Sequence, residues 1–193
     1  PVPASFAHLQ DNIHLNGLSN MVQALSVGIA AGAGRLPFTT GKGAANGVVP
    51  PASVGQVSIP AIDVEVLPLD ALTADFPPTL LKIDVEGYEH EVIAGAAHTL
   101  ANPSLLAILI ELRGHGARYG FDEDTIHRTL LDAGFQPYAY TPAVQDKGEL
   151  EGGLRLLPDI NRQAGTTIYI RDLAQVVQRL NTARRFHVHG QQV

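Results

Sequence analysis

Three ionisable residues alternate along a short apolar segment in the middle of the chain. Lys82, Asp84 and Glu86 stand at every second position of the segment "LLKIDVEG", whose other residues are mostly apolar. Side chains of a strand point alternately to its two faces, so the three charged groups share one side. Carboxylates placed together at a strand end are candidates for acid–base chemistry. The alternative is structural, with Lys82 and Asp84 in an ion pair and Glu86 capping the following helix.

The segments around these residues alternate between strand and helix patterns. A helix capped by Ser5 is predicted to stop at Asn16-Gly17, and the strand "MVQALSVGI" is predicted to end at Gly28. Residues 88–100 have helical spacing and are expected to follow the charged segment as one helix. The other predicted elements are the strand and short helix of "IDVEVLPLDAL", the strand "SLLAILIEL", the helix "DEDTIHRTLLDAGF", the paired strands "QPYAYTP" and "TTIYIRD", and the helix "LAQVVQRLNTARR".

This alternation predicts one domain, residues 1–193, with an α/β fold. The sheet is expected to be parallel or mixed, with helices on both faces and a late antiparallel strand pair. Residues 28–58 are rich in Gly, Ala, Thr and Ser and are interpreted as an irregular loop or hairpin. Residues 171–193 are interpreted as a C-terminal helix and tail, whose arginines, beginning with Arg171, form a solvated helix face. Ligands of open α/β sheets bind beyond the carboxyl ends of the strands, which is where the charged segment ends.

Composition argues against several classes of protein. The net charge of −6 does not suggest a nucleic-acid partner, and no apolar run is long enough to span a membrane. The chain has no cysteine, which excludes disulfides and thiolate sites and fits a reducing, cytoplasmic location. His187 and His189 have the spacing of a metal-binding pair on a strand. No third ligand accompanies them, so no metal site is expected.

The central segment "LLKIDVEGYEHEVIAGA" resembles the signature of the FkbM family of S-adenosylmethionine-dependent methyltransferases. That signature combines a Lys-Ile-Asp-Val-Glu-Gly core with a following Glu and a Gly-Ala pair. Flanking segments resemble the family in the same order, namely "PVPASFAHLQDNIHLNGLSN", "VEVLPLDAL" and "LLAILIEL". The resemblance implies a class I, Rossmann-like methyltransferase fold with S-adenosylmethionine as cofactor. It also implies methyl transfer to a hydroxyl group of a small-molecule acceptor such as a sugar or polyketide.

The resemblance further implies roles for individual residues. Asp84 is expected to act as the base or to orient the acceptor, and Lys82 is expected to keep Asp84 ionised. Glu86 is expected to bind substrate or to cap the helix. The predicted substrate-side residues are Glu111, which ends the next strand, His115, which is an alternative base, and Tyr88.

The cofactor is expected to contact Ser26, Val27 and Gly28. The resemblance implies this, because the loop at this place contacts the adenine in class I methyltransferases. The assignment rests on position alone. Two glycine-rich segments, "GAGRLP" and "GKGAAN", lack the third glycine of G-x-G-x-x-G and are interpreted as loop formers.

Two features of the family pattern have no counterpart in the sequence, namely the glycine-rich turn after the first strand and the acidic residue that holds the ribose. The chain is therefore interpreted as an N-terminally incomplete methyltransferase. An exposed sheet edge would then promote self-association, which leaves a homo-oligomer open. Two alternative functions remain open. One is a non-catalytic α/β binding or assembly module that retains the second half of the fold. The other is a different nucleotide-using enzyme, such as a dehydrogenase, although no dinucleotide fingerprint is present.

Overall fold

A computed structural model of the chain describes residues 1–53, 60–146, 149–183, 187–188 and 191–192. These residues form a mixed α/β structure, which confirms the fold class that the alternating sequence pattern predicts. His189 lies outside the described residues, so the predicted histidine pair is not described. Within the described part of the chain, no helix is long and apolar enough to cross a membrane.

Six helices and ten strands occur in the described residues. The helices are α1 (Pro3–Leu15), α2 (Leu69–Thr73), α3 (Glu89–Ala94), α4 (Ala97–Ala101), α5 (Glu123–Asp132) and α6 (Leu173–Thr182). The strands are β1 (Gly28–Ile29), β2 (Gly34–Thr39), β3 (Ala61–Leu67), β4 (Leu80–Ile83), β5 (Ala107–Glu111), β6 (Gln136–Asp146), β7 (Glu149–Leu156), β8 (Thr166–Ile170), β9 (His187–Val188) and β10 (Gln191–Gln192).

The larger sheet has five strands in the order β4-β5-β8-β6-β7. Strands β4 and β5 are parallel, and Ile83 lies opposite Ile110 in their register. The other neighbours are antiparallel, and Tyr138 of β6 lies opposite Ile168 of β8. The pairing of β6 with β8 confirms the predicted late antiparallel pair.

A smaller sheet has the order β1-β3-β2, with β1 parallel and β2 antiparallel to β3. The predicted strand over "MVQALSVGI" is wrong for most of its length, because only Gly28–Ile29 pairs with a neighbouring strand. Met21, at its start, is 81% exposed and belongs to a turn. The predicted loop or hairpin over residues 28–58 contains β2, whose antiparallel partner β3 lies beyond that segment.

Two helix boundaries differ from the sequence prediction. Helix α1 begins at Pro3 and has no side-chain cap, so the predicted cap at Ser5 is wrong. Proline suits this position because its fixed φ matches the first helical turn, where an N–H group is not needed. The helix predicted over residues 88–100 is interrupted between α3 and α4. Gly95 lies at the break, where a Cβ atom would stand 2.3 Å from the carbonyl oxygen of Ala30.

The core of the larger sheet is centred on β5. Ile108 and Ile110 are fully buried, and Phe135 and Tyr169 are as deeply buried beside them. A strand covered on both faces is apolar at almost every position, as the sequence of β5 is. Each such side chain contributes about 1.5–3 kcal/mol when it leaves water. This burial fixes the strand ends that carry the charged residues.

Candidate functional site

The charged segment forms a tight turn between β4 and α3. Strand β4 ends at the buried Ile83, and the next residue is Asp84. Because β4 and β5 run parallel, their carboxyl ends meet at one edge of the sheet, which brings Asp84 beside Glu111 at the end of β5. The predicted position of the acidic residues at a strand end is therefore observed.

The turn itself has an unusual backbone conformation. Glu86 has a φ of +56°, a left-handed value that few residues other than glycine adopt. Gly87 follows with a φ of +98°, and a Cβ atom there would lie 2.6 Å from the carbonyl oxygen of His115. Glycine is thus required at position 87 by the close approach of the loop after β5. The strain at Glu86 needs support from the surrounding structure.

That support comes from Glu89, a residue for which the sequence predicted no role in the site. Its side chain is buried, and its Oε1 atom accepts hydrogen bonds from the backbone N–H groups of Val85 at 3.2 Å and Gly87 at 3.1 Å. Both bonds flank Glu86, so one carboxylate holds the whole turn. The predicted alternative, Glu86 as the helix cap, is wrong because α3 has no side-chain cap. The sequence did contain a signal for this role, because Glu89 is an acidic residue in the first turn of a helix that follows a glycine.

Replacing Glu89 by Ala is expected to lower kcat by about 10²-fold, because a turn released from its two hydrogen bonds misplaces the groups beside it. The free energy of unfolding should fall by about 2–6 kcal/mol, because two N–H groups lose their acceptor at a cost of about 1–3 kcal/mol each. The matched control is Glu89→Gln, whose amide oxygen can still accept both bonds. Steady-state kinetics together with urea unfolding measures both effects. A Gln variant as impaired as the Ala variant would contradict a role through hydrogen-bond acceptance.

The carboxyl groups of Asp84 and Glu111 are electrostatically unequal. The Lys82 ammonium lies 2.7 Å from Asp84 Oδ2, and this hydrogen bond, followed by one with Glu111, lowers the pKa of Asp84 below its ordinary value. The pKa of Glu111 is raised, chiefly by its hydrogen bond with Asp84 and then by burial. The Arg113 guanidinium contacts Glu111 on the other side. At a pH where Asp84 is ionised, Glu111 therefore holds a proton more readily than a free glutamate.

Glu86 makes a second set of contacts with the loop after β5. Its Oε2 atom lies 3.3 Å from His115 Nδ1 and 3.9 Å from Arg118 Nη2. A small cavity of about 60 Å³, here called the carboxylate pocket, is lined by Asp84, Glu86, Glu89, Glu111, Arg113 and His115. Four of the predicted site residues are thus brought together. Lys82 stays outside the lining, with its side chain 63% exposed. Among the described residues, no group of three His, Asp or Glu side chains could hold a metal ion.

A second cavity of about 250 Å³ lies on the other side of the turn. This apolar cavity is lined mainly by Val27, Gly28, Ile29, Phe38, Asn46, Val48, Val66, Asp84, Val85, Glu86 and Tyr88. It therefore contains two of the three predicted cofactor residues, whereas Ser26 is not among its lining. Tyr88 belongs to this cavity and not to the carboxylate pocket. Its ring packs edge-on against Tyr119, whose hydroxyl group donates a 2.7 Å hydrogen bond to the carbonyl oxygen of Val48.

Asp84 and Glu86 line both cavities, which places them at the boundary between the two spaces. A mixed α/β fold with acidic side chains at the carboxyl ends of neighbouring strands, beside a small-molecule cavity, is an arrangement found in α/β enzymes. The family model described as the methyltransferase FkbM domain matches residues 1–137. The chain therefore belongs to the FkbM methyltransferase family, which confirms the resemblance of its central signature. Comparisons with curated proteins and with solved structures found no match.

Family membership supports a methyltransferase and does not favour the non-catalytic module. The match covers every residue that lines the apolar cavity and the carboxylate pocket. It ends in β6, so β8 and α6 lie beyond it.

Proposed function

We infer that the chain is an S-adenosylmethionine-dependent methyltransferase acting on a hydroxyl group of a small metabolite, such as a sugar or polyketide. The observation that supports this most is the boundary position of Asp84 and Glu86. One cavity beside them has apolar walls, and the other is lined by carboxyl groups, Arg113 and His115. A cofactor in the first and the reacting hydroxyl group of an acceptor in the second would meet at these two carboxylates.

The residues of the apolar cavity fit such a cofactor. Val27, Val48 and Val66 offer apolar contacts to a purine ring, and Gly28 leaves room because a side chain there would press on Val66. At one end, Asp84 and Glu86 provide negative charge, which favours a positively charged sulfonium group. A volume of about 250 Å³ is near the lower end of small-molecule pockets and suits part of the cofactor. When bound, the cofactor supplies a methyl group that its positive sulfur has already activated.

The chain's own residues then align the acceptor and take its proton. An ionised Asp84 accepts a hydrogen bond from the acceptor hydroxyl and orients its oxygen toward the apolar cavity. Orientation of two reacting groups is worth about 7–11 kcal/mol at best. Asp84 alone is a weak base because its pKa is lowered, whereas the raised pKa of Glu111 suits proton capture better. We therefore assign proton acceptance to Asp84 and Glu111 together.

His115 is the second candidate base. Its Nδ1 atom lies 3.3 Å from Glu86 Oε2, a contact that orients the ring in the carboxylate pocket. Lys82 acts from outside the pocket by keeping Asp84 ionised, and Tyr88 contributes to the cofactor side. A cytoplasmic location and a homo-oligomer stay predictions. Exposed apolar side chains such as Leu15, Met21 and Phe76 support self-association.

Labelled S-adenosylmethionine titrated into the chain tests the proposal. We expect saturable binding with a Kd of about 10 µM, and S-adenosylhomocysteine should displace the labelled compound. S-adenosylmethionine carries a sulfonium charge and S-adenosylhomocysteine does not. Glu86→Gln should therefore weaken the binding of S-adenosylmethionine about tenfold and leave the binding of S-adenosylhomocysteine nearly unchanged. The exposed Glu65 on β3 offers the control variant Glu65→Gln, which should change neither affinity. Absence of saturable binding, or preferential binding of NAD, would refute a methyltransferase cofactor site.

A further inference from the structure

A third cavity opens beside the carboxylate pocket. Its volume is about 460 Å³, and it is lined by Leu112, Arg113, Gly114, Glu123, Arg162, Gln163, Ala164 and Gly165. Arg113 lines this space and the carboxylate pocket as well, so the two are adjacent. The volume lies within the range of small-molecule sites. We call it the arginine cavity.

The wall of this cavity formed by the loop before β8 is closely packed. The backbone N–H group of Leu112 donates a 2.7 Å hydrogen bond to the carbonyl oxygen of Gly165. A Cβ atom on Gly165 would lie 2.5 Å from Arg113 Nε, so the loop backbone rests directly on the guanidinium. The loop is itself closed by a 2.9 Å bond from the N–H group of Gly165 to the carbonyl oxygen of Asn161. The Arg113 side chain, which is 55% exposed, is thus packed against this loop on one side.

The second guanidinium is also held by neighbouring acids. Arg162 contacts Asp124 directly, and its Nη1 atom lies 3.8 Å from Glu123 Oε2. Glu123 is buried, and its Oε1 atom accepts a hydrogen bond from the N–H group of Gly114. The acidic lining group is thus already engaged. Each guanidinium has five N–H donors in a fixed plane, more than these carboxylates accept.

The free hydrogen-bonding capacity of the cavity is therefore mainly that of donors. Two guanidinium groups and the Gln163 amide face a space in which Glu123 is the single acidic lining residue. Arg113 is paired with Glu111 and Arg162 with Asp124 and Glu123, so the cavity attracts an anion through its remaining N–H donors and not through net charge. Such a donor-rich space favours a planar or tetrahedral oxyanion, because guanidinium binds both carboxylate and phosphate in paired hydrogen bonds. The carboxyl groups of the neighbouring carboxylate pocket would repel the same oxyanion. A ligand that spans both spaces would therefore place its oxyanion in the arginine cavity.

We propose that the arginine cavity binds a carboxylate or phosphate group of the acceptor molecule. The acceptor is then an anionic metabolite whose reacting hydroxyl lies at Asp84 while its oxyanion contacts Arg113 and Arg162. The identity of the ligand as the methyl acceptor rests on the proposed methyltransferase function, whereas the oxyanion site itself does not. Arg162 and Gln163 become specificity-determining residues for the same reaction.

The test is a pair of titrations of the full chain, one with inorganic phosphate and one with acetate, followed by backbone amide NMR. We expect saturable shifts of the amide resonances of Gly114, Gln163 and Ala164 for at least one of the two anions, with a Kd of about 1 mM. The anion that binds more tightly identifies the oxyanion as phosphate or carboxylate. Arg162→Gln should weaken binding about tenfold. Arg179→Gln on the exposed face of α6 is the matched control and should leave the affinity unchanged.

A second variant covers the case in which Arg162→Gln disturbs the fold through its lost ion pairs. Gln163→Glu keeps Arg162 with its acidic partners and places a repelling charge in the cavity, so it too should weaken anion binding about tenfold. The proposal is overturned if neither anion shifts these amides saturably, or if both variants bind like the parent chain. Loss of labelled S-adenosylmethionine binding with anion binding retained would refute the proposed function and leave this site standing.

Discussion

Replacing Asp84 by Asn is expected to lower kcat for methyl transfer by about 10²–10⁴-fold, the range of a lost general base. The amide is almost the same size as the carboxyl group, but it cannot accept a proton from the acceptor hydroxyl or share one with Glu111. Lys82 also loses its partner at 2.7 Å. The effect should therefore appear in kcat more than in KM.

The melting temperature of this variant should change little. The side chains of Lys82 and Asp84 are 63% and 41% exposed, and exposed ion pairs contribute about 0–1 kcal/mol. Single-turnover kinetics with labelled cofactor, together with calorimetry, separates the two effects. Asp75→Asn, at an exposed position before β4, is the control. A large loss of stability with kcat retained would show that the pair serves the fold and not the reaction.

The pH dependence follows from the directions of the two pKa shifts. Because the folded-state pKa of Asp84 is lowered, its contribution to stability is present above its unfolded pKa and is lost as pH falls through the folded value. A step that needs only the ionised form of Asp84 should likewise persist into acid below the ordinary aspartate range. Glu111 has the opposite shift, so its proton is retained above the ordinary glutamate range. Activity that depends on its ionised form should therefore still rise with pH beyond that range.

Replacing Arg171 by Met is expected to lower the free energy of unfolding by about 2–4 kcal/mol. Its guanidinium donates hydrogen bonds to the carbonyl oxygens of Leu100, Asn102, Leu105 and Ala133, at the ends of α4 and α5 and the turn between α4 and β5. It also lies 4.3 Å above the centre of the Phe135 ring. Leu100 and Ala133 lie at helix ends, where carbonyl groups lack a partner within the helix, so one side chain satisfies both of them. The prediction of a solvated helix face is wrong for this residue.

Urea unfolding measures this effect, and Arg179→Met provides a matched control. Arg179 lies in the last turn of α6 with an exposed side chain, so its replacement should change the free energy by no more than about 0.5 kcal/mol. Methionine keeps much of the apolar stem of arginine, which limits the loss to the charged head. Equal unfolding free energies for the two variants would show that water replaces the guanidinium at these carbonyl groups without cost.

Several elements could be predicted from the sequence because their signals are local. The apolar run of β5 and the alternation before Asp84 are patterns of neighbouring residues, as is the helical pattern of the segment that forms α5. The candidate acids followed from the same segment and its resemblance to a family signature. These features depend on side-chain spacing over a few residues, which the chain carries before it folds.

Other features had no local signal. The length of β1 depended on a partner strand more than thirty residues away, and the break at Gly95 depended on the backbone of Ala30. The pairing of Asp84 with Glu111 required the parallel register of β4 and β5. Spacing along the chain could predict neither the hydrogen bonds from the turn to Glu89 nor the shared cavity of Arg113 and Arg162.

The sequence by itself thus determined the class of fold, the strand that precedes Asp84 and the family to which the chain belongs. Tertiary structure alone decided which side chains share a cavity, which carboxyl group has a raised pKa and which arginine contacts the core. The physical reason is that electrostatic and hydrogen-bonding interactions depend on distance in space and on burial. For groups on different elements, both quantities are set only when the strands and helices pack.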